Sequence, residues 1–207
     1  MTQQLICLGL MFLQFNLAFA TDYEQAVLKE LNAVRANPQG LIPVLQELYR
    51  RMNGKFLFVS PTLRIETQEG AAAVSEAIRV LKETPVTPPF TYSEPLSRAA
   101  RDHQNDQAKS GQIGHFSSDN KGPSERAERY VKLRGKSGEN VSYGDYGVEG
   151  PKSVPVAFVV DDGVPDRGHR RNFFDPEFLK VGIACGPHPK YRNMCVVDFA
   201  HDVLPKR

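Results

Sequence analysis

Apolar residues recur at helical spacing through the first half of this chain and alternate in its last quarter, with glycine-rich, histidine-bearing segments between. Tyr23, Val27, Leu31 and Val34 are three or four apart, so residues 21–37 predict an amphipathic helix, with Asp22 and Glu24 where the dipole favours anions. Asn37-Pro38 ends it, because the residue before proline is pushed out of the α region. Leu41, Val44, Leu45, Leu48 and Tyr49 predict a second helix that stops at Asn53-Gly54. Lys55 to Ile65 shows no clean period and contains Pro61, and reads as an extended loop. Thr67 is the expected cap of a third helix with Ala71, Val74, Ala77, Ile78 and Leu81 as its buried stripe. Pro85, Pro88 and Pro89 make a rigid connector within the fold.

Ser93 is the expected cap of a fourth helix, with Leu96, Ala99, Ala100, His103 and Gln107 on one face, so His103 is expected as a hydrogen-bonded core histidine. Residues 123–133 predict a short helix with Ala127, Tyr130 and Val131 facing in, and 139–144 alternate like a strand. Ser153 opens an apolar helix containing Val156, Phe158, Val159 and Val160. Asp161 and Asp162 follow at its C-terminal end, where the dipole disfavours anions, so they call for cationic partners or a function. Residues 178–185 and 194–199 predict an antiparallel hairpin.

Residues 1–20 change the compartment. An apolar run over 5–13, closing on Ala18-Phe19-Ala20, reads as a signal peptide cleaved after Ala20, and is too short and interrupted for a membrane span. That leaves residues 21–207 as a single domain in an extracellular, secreted protein. The net charge of +2, from 26 basic and 24 acidic residues spread along the chain, points to neither nucleic acid nor an anionic membrane. Cys7 leaves with the leader, and the remaining pair, Cys185 and Cys195, flanks the hairpin and reads as a disulfide. His188 and His201 are expected at the surface. Arg167, Arg170 and Arg171 are expected to pair with Asp161, Asp162, Asp166 and Asp175. Asn140-Val141-Ser142 is a glycosylation sequon whose place near the candidate site argues against its use.

The candidate chemistry lies in three ordered segments: Gly114-His115-Phe116, then Gly138-Glu139-Asn140-Val141, then Gly168-His169-Arg170-Arg171-Asn172-Phe173-Phe174-Asp175-Pro176. Two neutral imidazoles can give nitrogen to a divalent metal, and a carboxylate on the far ring nitrogen fixes each tautomer. With two protein ligands, the remaining positions stay open, which suits modest zinc binding rather than a closed structural site. No Gly-x-Ser-x-Gly and no His-Glu-x-x-His motif is present.

These segments in this order resemble the CAP superfamily of cysteine-rich secretory, antigen 5 and pathogenesis-related proteins, also called SCP domains. The resemblance implies a three-layer α-β-α sandwich with a central, mainly antiparallel sheet and a cleft where two histidines and two acidic residues converge. His115 and His169 match the histidines, Glu139 one acidic residue, and Asp161, with Asp162 as the alternative, the other. The family's usual tryptophans are absent, with Phe158 in a comparable apolar place. A non-enzymatic module binding a lipid, sterol, glycan or protein ranks first. A purely structural tetrad ranks second, and a metal-dependent hydrolase third.

Overall fold

A computed structural model describes residues 21–206; the signal-peptide segment and Cys7 lie outside the described residues. Thr21 caps helix α1 (Asp22–Ala36) through a capping box, its hydroxyl accepting the Glu24 amide while the Glu24 carboxylate accepts the Thr21 amide. Val27, Leu31 and Val34 are buried as the period requires, whereas Tyr23 sits at the surface. A short 3-10 turn over Pro38–Leu41 leads into α2 (Ile42–Arg50).

The expected loop at Lys55 to Ile65 is instead most of a small antiparallel sheet, β1 (Met52–Asn53), β2 (Phe56–Phe58) and β3 (Arg64–Glu66). Only Leu57 of this sheet is buried, so there is too little alternation to read. Thr67 does not cap α3 (Ala71–Leu81): its hydroxyl bonds the Lys55 carbonyl, and Gly70, at φ 68°, stands at the cap. A side chain there would collide with the Gly54 carbonyl, which explains a glycine at this place.

Strand β4 (Thr91–Tyr92), too short to show a period, pairs parallel to Lys180 and Val181. Ser93 stands at the cap position of α4 (Glu94–Ser110) without making a side-chain capping bond. Helix α5 (Pro123–Ala127) is shorter than expected, because Val131 already belongs to β5 (Val131–Tyr143). Helices α6 (Ser153–Val160) and α7 (Gly168–Phe174) precede the hairpin β6 (Lys180–His188) and β7 (Arg192–Pro205).

The central sheet runs β4-β6-β7-β5, antiparallel except for β4. Strand alternation assigns its two faces. Val181, Ile183, Val197 and Phe199 join the larger core with α1, α2, α3, α6 and α7. Ala184, Val196 and Ala200 face α4 and α5. Gly182 permits this second contact, since a Cβ there would collide with the Leu96 carbonyl carbon. Helices on both faces make the three-layer α-β-α sandwich that the resemblance implied. Cys185 and Cys195 are register partners, with Cα atoms 4.1 Å apart, and form the expected disulfide.

Candidate functional site: two carboxylate-backed histidines

Helix α4 ends at Gly111 in the left-handed conformation, and the chain then turns through Gly114 to His115. His103, fully buried on α4, holds that turn from beneath. Its Nδ1 lies 2.9 Å from Ser117 Oγ and its Nε2 2.9 Å from the Gly114 carbonyl. Burial lowers its pKa, which favours the neutral ring. Tyr143 adds a second hold, its hydroxyl accepting the Gly114 N–H at 2.8 Å and donating to Gln107 Oε1 at 2.8 Å. The core histidine expected from sequence is therefore present, and it supports the loop that carries His115.

Glu139 reaches the same place from β5. Its buried carboxylate accepts from His115 Nδ1 at 2.8 Å through Oε1 and from Arg126 through Oε2. Arg126, itself buried, also donates to the His115 carbonyl at 2.9 Å and the Lys121 carbonyl at 2.7 Å. Nothing in the spacing of Arg126 singles it out, since a helical arginine ordinarily faces water.

His169 opens α7. Asp161, at φ 53° just after α6, accepts from His169 Nδ1 at 2.6 Å, from the His169 amide at 2.9 Å and from the Arg170 amide at 3.2 Å. Asp162 turns the other way, accepting the Gln68 and Glu69 amides at 2.7 and 2.8 Å ahead of α3. Of the two candidates, Asp161 thus contacts the histidine. The His115 and His169 ring centroids are 6.1 Å apart, and Phe158 stacks 6.1 Å from His169. Both rings line a cleft of about 440 Å³ whose walls include Tyr143, Tyr146 and Tyr191.

The expected arginine–aspartate pairings and the exposure of His188 need correction. Arg167 pairs with Glu69 at 2.6 and 2.7 Å and Arg170 with Glu76 at 2.8 and 2.7 Å, so their carboxylate partners come from α3 and the segment before it, not from the nearby aspartates. Bonding to Arg167 draws the Glu69 pKa down to about 2. Only Arg171 keeps the predicted kind of partner, Asp166 at 2.7 Å, while Asp175 meets Lys136 at 2.7 Å. His188 is buried, not exposed, with Nε2 3.0 Å from the Gln112 carbonyl; His201 is exposed as expected. The Asn140 side chain, fully buried, donates to the His169 carbonyl at 2.8 Å, which removes the sequon from the surface.

A zinc ion fits the chemistry of this donor set. With each Nδ1 turned to a carboxylate, the hydrogen goes on Nδ1 and the Nε2 lone pair is left to bind. Among the described residues no group of three or more His, Cys, Asp or Glu side chains could hold a metal ion.

A family model described as the cysteine-rich secretory protein family, CAP, matches residues 58–199. Two solved structures are similar. One is an extracellular SCP-domain protein from Bacillus anthracis, at 15% identity and a TM-score of 0.43, with 64% of this chain and 38% of that chain covered. The other is an outer surface protein from Borrelia burgdorferi, at 18% identity and a TM-score of 0.44, with 64% and 89% covered. No curated protein sequence matches.

Proposed function

Because the chain belongs to the cysteine-rich secretory protein family, we propose that it is an extracellular binding module whose cleft holds a divalent metal, zinc in the first instance, through His115 and His169. The ligand class is lipid, sterol, glycan or protein. The apolar leader over residues 1–20 and the Cys185–Cys195 disulfide support export, with residues 21–207 as the exported unit. The observation that carries the metal reading is the matched pair of imidazoles, each backed at Nδ1 by a buried carboxylate, at 2.8 Å for Glu139 and 2.6 Å for Asp161. When bound, zinc would supply a Lewis-acidic centre with open positions for a ligand atom. Glu139 and Asp161 orient the rings, and the cleft walls take the body of the ligand.

A structural role for the tetrad is the second reading, favoured by the guanidinium bond to Glu139 and the backbone amide bonds to Asp161. Those bonds also argue against hydrolysis, because neither carboxylate is free to serve as a general base. Zinc soaking with anomalous scattering tests the proposal. A single peak between His115 and His169, lost in His169→Ala, is expected, with saturable binding and no turnover. A folded parent that takes up no zinc leaves the structural reading; metal-dependent turnover abolished by His169→Ala would establish the hydrolase.

A further inference from the structure

Behind His115 lies a carboxyl group that the tetrad does not account for. Asp198 on β7 is the register partner of Glu139 on β5, and both are buried on the sheet face covered by α4 and α5. Neither Asp198 oxygen meets a hydrogen-bond donor. The oxygens of Glu139 are both engaged, one by His115 Nδ1 and the other by Arg126, so Glu139 is an acceptor; the Arg126 charge also acts on Asp198 but makes no hydrogen bond to it. The other described groups facing this point bring no second cation. His103 on α4 is held neutral by burial, and on β6 the register partner of Asp198 is Gly182, which has no side chain.

We propose that Asp198 keeps its proton and donates a hydrogen bond through it to the Glu139 carboxylate, which makes Asp198 a positioning residue for the His115 ring. An ionised Asp198 would set two buried carboxylates against one guanidinium. A carboxylic acid turns the same contact into a donor and an acceptor, which is how paired carboxyls share a site. Burial and the neighbouring Glu139 push the Asp198 pKa well above the usual carboxylate range. Hydration is a poor substitute: the void beside Asp198 is about 10 Å³, its walls are mainly apolar, and its two serines, Ser124 and Ser137, have their hydroxyls 3.2 Å from one another. That volume is the lower limit for a single water, which also needs two or more polar partners. The resulting relay runs from the Asp198 O–H to the Glu139 carboxylate to the His115 Nδ1–H, leaving Nε2 toward the cleft. Only this last link rests on the metal-site reading.

Infrared spectroscopy of the protein at neutral pH, with carboxyl-¹³C aspartate, tests the proton directly and needs no metal. A protonated-carboxyl C=O band that shifts with the aspartate label and vanishes in Asp198→Asn is expected. Absence of the band from the parent, or its persistence in Asp198→Asn, overturns the proposal. Calorimetry with zinc tests positioning: Asp198→Asn, which keeps a donor toward Glu139, should stay within about threefold of the parent, and Asp198→Val should weaken binding about 10-fold. A folded Asp198→Val that binds zinc like the parent removes the positioning role, and if the Asp198→Val variant does not fold the infrared result decides alone. If the parent binds no zinc while the infrared band is present, the metal reading fails and the protonated Asp198 stands.

Discussion

Asp161 Oδ1 lies 2.6 Å from His169 Nδ1, while Asp162, one residue on, turns its carboxylate to the amides of Gln68 and Glu69. Two adjacent aspartates of the same chemistry therefore do different work, one orienting a ring and the other tying the end of α6 to the start of α3. Asp161→Asn should weaken zinc binding about 10–100-fold by removing the orienting acceptor. Asp162→Asn should leave the metal alone and cost about 1 kcal/mol of stability, the scale of a lost cap. Calorimetry and chemical denaturation of the two variants check this, and interchanged phenotypes would reverse the assignment.

His103→Ala should cost about 2–4 kcal/mol, because it leaves the Ser117 hydroxyl without its ring partner and opens a cavity beneath the His115 loop. Its effect on zinc should be a few-fold, smaller than that of Glu139→Gln, because His103 acts on the loop and not on the ring. Denaturation and zinc calorimetry on the two variants compare the effects.

The same histidine gives a pH dependence. Burial lowers the His103 pKa below its ordinary 6.5, so the unfolded chain binds the proton more readily than the folded one. Its contribution to stability is complete above 6.5 and is lost as pH falls through the lower, folded-state value. The melting temperature of the parent should therefore drop relative to that of His103→Gln as pH is taken from about 7 toward about 5; parallel curves would count against a buried neutral ring.

Arg35 is fully buried and donates to the carbonyls of Pro88, Phe173, Asp175 and Phe178, with its guanidinium 3.9 Å from the Phe90 ring centroid. Burial lowers its pKa to about 10. Arg35→Met keeps much of the volume and strands these acceptors, so a loss of about 3–5 kcal/mol is expected in urea denaturation. A loss under about 1 kcal/mol would mean that water replaces the guanidinium.

Replacing Cys185 and Cys195 by serine should lower stability by about 2–3 kcal/mol in the chain-entropy model, with the fold retained because the β6–β7 ladder already pairs these positions. Mass spectrometry of the parent without reductant should find no free thiol at either position.

Helix positions are legible in the sequence because apolar period is a local property: Val27, Leu31 and Val34 identify the buried face of α1 with no knowledge of what covers it. The motifs around His115, Glu139 and His169 are legible for a similar reason, since each follows a glycine in a local sequence that is distinctive. Partner choice is not. Asp161 and Asp162 are equivalent in sequence, and only the left-handed turn at Asp161, with α7 starting beside it, decides which one meets His169. The aspartates nearest to Arg167 and Arg170 along the chain are the natural expectation for their partners, whereas packing of α3 against α6 brings Glu69 and Glu76 closer. Helical spacing puts Arg35 in line with Val27 and Leu31, and alternation puts Asp198 on the face of Val196 and Ala200, but nothing local shows that a polar group at these positions, or at Arg126 or His188, is stripped of water. Local sequence determines which backbone conformations and apolar faces are cheap. Which polar groups are stripped of water, and which partner repays each of them, depends on contacts between residues far apart in the chain, and only the tertiary structure decides it.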